Sequence, residues 1–208
     1  MKKTNKFMGL SVLTIVMLVI LDQLTKFQAV VKLKNGSPFV IIDGVFELRY
    51  LENQSAAFGF DIVSFFQKIF KIKYFTENPE AFLTAKMVIF AIVTIAVVIL
   101  LMIFYSHIPQ TKRFLGINLI LIFFVAGAIG NLIDRIVNNY VVDFFYFKLI
   151  NFPIFNVADI YVTVAAFAFI ILGIFYYKEE DFEMIFKKKD IVPIETTGGL
   201  ESVAVRMP

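Results

Sequence analysis

The sequence predicts an all-α membrane protein: four transmembrane helices, with a small β-like element and a short interfacial helix in one long loop. Three observations predict it. Hydrophobic residues make up 59% of the 208 positions and charged residues 18%, against about 25% charged in an ordinary soluble domain. Four apolar runs are each long enough to cross a hydrocarbon core of about 30 Å as a helix. The stretch between the first two runs, 32–81, carries strand and amphipathic patterns instead.

The first run, 7–31, is uncharged as far as Leu21 and then carries Asp22 and Lys26. Lys2, Lys3 and Lys6 ahead of it would also suit a signal peptide. No A-x-A-like site interrupts Asp22-Gln23-Leu24-Thr25-Lys26, so an uncleaved helix is expected. In the loop, 39–51 reads as two short strands around the turn signal Asp43-Gly44, with Phe46, Leu48 and Tyr50 alternating with Glu47 and Arg49. Ile62, Phe65, Phe66, Ile69 and Phe70 then fall at helical spacing among Lys68, Lys71 and Lys73. They make either a helix lying on the membrane surface or one packed on the loop's own strands. The second run, 82–105, has one charge, Lys86; the third, 114–138, stays uncharged until Asp134; the fourth, 155–177, is interrupted only by Asp159.

Beyond 178 the chain turns polar, with Lys187-Lys188-Lys189, and 179–208 is expected to be a solvated cytoplasmic tail following a transmembrane domain, 1–178. The basic N-terminal residues and the short loop 106–113, with Lys112 and Arg113, predict that both termini face the cytoplasm.

Composition removes several chemistries. Without cysteine there are no disulfides, thiolate nucleophiles, zinc fingers or iron–sulfur clusters. A single histidine, His107, argues against His-based metal sites and a Ser/His/Asp triad; it is expected to be a solvated loop residue on the cytoplasmic side. A net charge of +3 is weak for a nucleic-acid partner. Any catalysis rests on carboxylates, hydroxyls, amides, Lys or Arg.

Charges within spanning segments are costly, so each is a functional candidate. Asp22 lies fifteen residues after Phe7, about 22 Å along a helix, and so toward the outer leaflet. Asn131, Asp134 and Arg135 close the third helix, Asp143 follows it, and Asn156 and Asp159 open the fourth. Separate stretches of chain thus send Asp or Asn to one level. Asn131, Asp134 and Arg135 share a helix face, and Asp134-Arg135 reads as a helix-end ion pair. Asp143 and Asp159 sit in apolar settings without an adjacent cation, where two carboxylates brought together share a proton and divide into general base and general acid. Asp159 as a plain helix cap is the simpler reading. A metal site or a proton relay are the competing ones, and Ser64 with Lys68, at i and i+4, imitates a Ser/Lys dyad.

Four ordered motifs carry a resemblance: Asp22-Gln23-Leu24-Thr25-Lys26; Asn53-Gln54-Ser55-Ala56-Ala57-Phe58-Gly59; Gly130-Asn131-Leu132-Ile133-Asp134-Arg135 leading to Val141-Val142-Asp143-Phe144; and Phe155-Asn156-Val157-Ala158-Asp159. In this order the chain resembles the bacterial lipoprotein signal peptidases (signal peptidase II). The resemblance implies catalytic roles for Asp143 and Asp159, in V-x-D-F and N-x-A-D motifs. It implies supporting or substrate-binding roles for Asp22, Asn53, Asn131, Asp134, Arg135 and Asn156. It further implies an aspartic endopeptidase of the bacterial inner membrane with an extracytoplasmic β-like cradle, no metal and no cofactor. Its partners would be membrane lipids and lipid-modified prolipoproteins, cut just before the diacylglyceryl-cysteine, and it is expected to act as a monomer. Where the family usually carries Gly, this chain has Ser55 and Asn139; Asn tolerates left-handed backbone, so Asn139 can keep its turn. A small proton- or ion-coupled transporter using Asp22, Asp134, Asp143 and Asp159 is the alternative, though its polar groups would normally span the membrane depth and no internal repeat is visible.

Overall fold

A computed structural model describes residues 2–55 and 62–186. The second half of the Asn53 motif and the lysine-rich end of the polar tail lie outside the described residues.

Four helices are long and apolar enough to span a membrane. They are α1 (Lys2–Leu33), α4 (Pro79–His107), α5 (Leu115–Asn138) and α6 (Val157–Phe175). Local chemistry places their ends. Pro79 occupies the first turn of α4 beside Glu80, where a missing N–H costs nothing and a negative charge meets the helix dipole. α5 stops because Asn139 turns left-handed at φ 61°, as its residue type allows. α6 starts in a capping box: Asn156 Oδ1 accepts the Asp159 N–H at 3.0 Å, and Asp159 Oδ2 accepts the Asn156 N–H at 3.1 Å.

α5 is the central helix, packed against α1, α4 and α6. Half of its apolar window is buried, against 6–17% in the other three, whose outward residues suit lipid rather than a protein core. Small residues let the helices approach. A Cβ on Gly127 would stand 2.6 Å from the Ala158 carbonyl oxygen, and one on Gly130 would stand 2.5 Å from Asp22 Oδ2.

The long loop folds into β1 (Phe39–Ile42) and β2 (Phe46–Asn53), joined through Gly44 at φ 70°. A third strand, β3 (Val141–Phe147), pairs antiparallel with β2, giving the order β1-β2-β3. Sequence reading places Asp143 only beyond the third helix. Val-Val-Asp-Phe-Phe-Tyr-Phe lacks the alternation of a half-exposed strand because its first four residues are buried.

Two short helices follow β2, α2 (Ile62–Phe70) and α3 (Lys73–Glu77). The apolar residues Phe65, Phe66, Ile69 and Phe70 of α2 are exposed, as a surface-lying helix would leave them. Ser64 does not serve Lys68; its hydroxyl accepts from Lys86 Nζ at 3.4 Å.

The far end of the bundle differs from expectation in two places. His107 is the last residue of α4 rather than a loop residue, with Nδ1 2.7 Å from the Ile103 carbonyl. Eight residues of the stretch expected to be a solvated tail form α7 (Glu179–Phe186). Its Ile185 joins a buried cluster with Tyr105, Ile108, Phe114, Ile117, Leu121 and Tyr177. Arg113 holds Asp181 through two hydrogen bonds, 3.0 and 2.6 Å, and reaches the Tyr176 carbonyl at 2.8 Å.

Candidate active site

Strand pairing delivers the first acid. In register, Leu51 of β2 faces Asp143 of β3 and Asn53 faces Val141. Asp143 is almost wholly buried, yet both carboxylate oxygens accept amide donors: Asn53 Nδ2 on Oδ2 and Asn156 Nδ2 on Oδ1, each at 2.7 Å. Asn53 is held in turn by accepting the Ser55 N–H at 2.8 Å. Ser55 is not at positive φ, so this turn does without the glycine the motif usually carries there.

The capping box delivers the second acid. Asp159 is a helix cap, as the simpler reading of the sequence holds, but only one of its oxygens is used for that. Oδ1 accepts from Asn131 Nδ2 at 2.9 Å. Asn156 completes the link, since its Nδ2 also donates to Asn131 Oδ1 at 3.0 Å. One short segment therefore positions both carboxylates.

Beneath the pair lies a buried charge cluster that joins three helices and the sheet. Lys26 Nζ lies 2.9 Å from Asp22 Oδ2 and 3.1 Å from Asp134 Oδ2, and all three side chains are almost fully buried. Asp22 Oδ1 accepts the Ala158 N–H at 2.9 Å, so α1 supplies a second cap to α6. Asp134 Oδ2 accepts the Val142 N–H at 3.0 Å, which fixes the strand next to Asp143. Gln23 Nε2 bridges Asp22, the Gly130 carbonyl and Asp134. The Asp134-Arg135 ion pair read from the sequence does not form: among the described residues Asp134 pairs with Lys26. Adjacent helix residues point about 100° apart, so proximity in sequence did not give proximity of side chains.

An apolar cleft of about 510 Å³ opens beside the pair. It is lined by Asn53, Asn131, Arg135, Asp143 and Asp159, by residues of α4 and α6 such as Phe90, Val93, Val97, Ile160 and Val164, and by Gly127 and Ala128 of α5, Val141 and Phe147 of β3 and the 152–155 segment. Asp22, Asp134 and Asn156 do not line it; they stand behind the residues that do. Arg135 lies over the Phe90 ring at 5.7 Å and makes no ion pair among the described residues. Its buried Nε has no hydrogen-bond partner among the described residues.

Burial, and then the charge of Asp159, push the Asp143 carboxyl up to about 7 against the pull of its two amide donors. A carboxyl that holds its proton near neutrality, beside a second carboxylate on the cleft wall, is the composition of an acid–base pair. The cations missing from the local sequence arrive in space: Lys26 from α1 acts on Asp143, and Arg135 from α5 faces both acids. Sequence reading assigned no role to Lys26 or Gln23. The signal was present in the i, i+4 spacing of Asp22 and Lys26 inside an apolar helix. Among the described residues no three His, Cys, Asp or Glu side chains group as a metal-ligand set.

Residues 14–175 match the family model described as signal peptidase (SPase) II. The chain is 40% identical over 178 residues to a lipoprotein signal peptidase of Clostridium tetani, covering 84% of this chain and 96% of that one. It is 36% identical over 173 residues to one of Clostridium novyi, covering 82% and 99%. A bacterial membrane enzyme solved by the in meso method at 2.3 Å superposes with a TM-score of 0.61 at 29% identity, covering 89% of this chain and 96% of that one. A second such structure, at 1.9 Å, gives 0.60 at 29% identity, covering 82% and 96%.

Proposed function

The chain belongs to the signal peptidase II family, and on that premise we propose that Asp143 and Asp159 are its catalytic pair. It is a multi-pass membrane aspartic endopeptidase that removes signal peptides from prolipoproteins. The transporter alternative has no support in that family.

The observation that carries the residue assignment is the convergence of Asp143 and Asp159, from a strand and a helix, on one wall of an apolar cleft. Asp159, the more exposed of the two, takes a proton from water as the oxygen adds to the scissile carbonyl carbon. Asp143 gives its proton to the carbonyl oxygen, forming a neutral gem-diol. The diol then loses a proton to the pair, the C–N bond breaks, and the leaving amine receives a proton. Water is consumed, an acid and an amine are formed, and the pair again holds one proton.

The substrate follows from the walls. The face between α4 and α6 suits an apolar signal segment and acyl chains, with cleavage just before a diacylglyceryl-cysteine. Arg135, whose side chain lines the cleft, serves the substrate's backbone carbonyls. Asn53 and Asn131 contact substrate at the rim, while Asp22, Asp134 and Asn156 support from behind. The site end of the bundle faces outward from the bacterial inner membrane, with both termini in the cytoplasm, and the monomer contains the whole pair.

Purified protein incubated with a lipidated precursor tests the assignment. Asp143→Asn and Asp159→Asn should each abolish cleavage while leaving a folded, membrane-inserted protein. Full processing by either variant would overturn it.

A further inference from the structure

An ammonium has three N–H donors and no acceptor. Lys26 uses all three, on Asp22 Oδ2 at 2.9 Å, Asp134 Oδ2 at 3.1 Å and Asn131 Oδ1 at 2.9 Å. None is left for a substrate, and Lys26 does not line the cleft. The third bond matters most. Because Lys26 only donates, the Asn131 atom facing it is the oxygen, and the Asn131 NH2 group is thereby aimed at Asp159 Oδ1. Asn156 reinforces the same orientation: its own oxygen is committed to the Asp159 N–H, so only its NH2 can reach Asn131.

We propose that Lys26 is a positioning residue for the hydrolysis: from behind the cleft it fixes the direction of the Asn131 amide, and through it the Asp159 carboxylate. The proposal rests on Asp143 and Asp159 being the catalytic pair. It explains why a cation is kept in a buried place where a hydrophobic side chain would cost less to bury. Lys26 and Asp22 come from α1, Asn131, Asp134 and Arg135 from α5, and Asn156 and Asp159 from the start of α6. β2 brings neutral Asn53 to Asp143, while its Glu52 is engaged by Lys34 and Tyr50. Arg135 reaches only the Asn131 backbone carbonyl, at 3.4 Å; among the described charged groups around the pair, Lys26 alone donates to the Asn131 side-chain amide.

The test keeps the net charge of the buried cluster. Lys26→Met with Asp134→Asn removes one positive and one negative charge, and the amide oxygen that Asp134→Asn leaves in place can still accept the Val142 N–H. Against an Asp134→Asn control cleaving a lipidated precursor, kcat should fall about 100-fold with KM unchanged, the scale of loss from misplacing a reacting group by an ångström. Lys26→Gln with Asp134→Asn restores a donor to Asn131 without the charge. It should recover kcat toward the control while the alkaline limb of the pH–rate profile moves to higher pH, since Lys26 favours ionised Asp143.

Equal kcat in the Met variant and the control overturns the proposal, as does a loss confined to KM. If the Met variant does not fold, the Gln variant decides: a kcat about 100-fold below the control despite the restored donor to Asn131 overturns the proposal. Loss of activity in Lys26 variants while Asp143→Asn or Asp159→Asn still cleaves would instead strike the catalytic assignment.

Discussion

Asn156 donates through Nδ2 to Asp143 Oδ1 at 2.7 Å, and the oxygen of the same side chain caps the helix that carries Asp159. The two duties separate by substitution. Asn156→Ser keeps a capping oxygen and loses the long amide donor, so it should retain most of the thermal stability and lose about 100-fold in kcat. Asn156→Ala loses both and should cost a further ~1 kcal/mol of stability. Thermal unfolding in detergent, run beside the cleavage assay, resolves the two effects.

Asp143 sets a pH dependence whose sign is fixed by its raised value. Folding lifts this carboxyl from its ordinary 3.8 to about 7. Between those values the folded protein keeps a proton that the unfolded chain has lost, so the Asp143 contribution to stability falls as pH rises through this window. Above about 7 it is flat. Wild type minus Asp143→Asn, compared in thermal unfolding from pH 4 to 8, should show this decline. The cleavage rate should decline above about pH 7, as the pair loses its shared proton.

Gly130 is required by the closeness of α1 to α5. A methyl there meets Asp22 Oδ2 at 2.5 Å, and Asp22 cannot yield because Lys26 and the Ala158 N–H hold it. Gly130→Ala should destabilise by about 1–3 kcal/mol and lower activity. Gly173, where nothing stands within 4 Å, is the control. Gly173→Ala should be neutral or slightly stabilising.

Asp181 should matter to the far end of the bundle and not to the reaction. The Arg113 guanidinium, and then the Lys178 N–H, hold its carboxyl down to about 2. Its contribution to stability is therefore present above its ordinary 3.8 and lost as pH falls through about 2. Asp181→Asn should release α7, read as faster proteolysis of the 179–186 segment, with kcat unchanged. A large loss of kcat would show that the two ends of the bundle are coupled.

The four spanning helices, the β1–β2 hairpin, the left-handed turn at Asn139 and the collection of Asp and Asn at one level are legible in the order of residues alone. Each of these is written in neighbours a few residues apart: hydropathy over one helix length, a turn dipeptide, a backbone tolerance. What those polar groups do to one another is set by packing between distant segments. Asp22 meets the Ala158 N–H across 136 residues, and Asn53 meets Asp143 across 90. Packing also turned Asp134 away from Arg135 toward Lys26, drew 141–147 into the sheet, and docked α7 through Arg113 and Ile185. A buried charge must find its partner wherever packing places one, because in a medium without water the cost of leaving it alone exceeds any local preference.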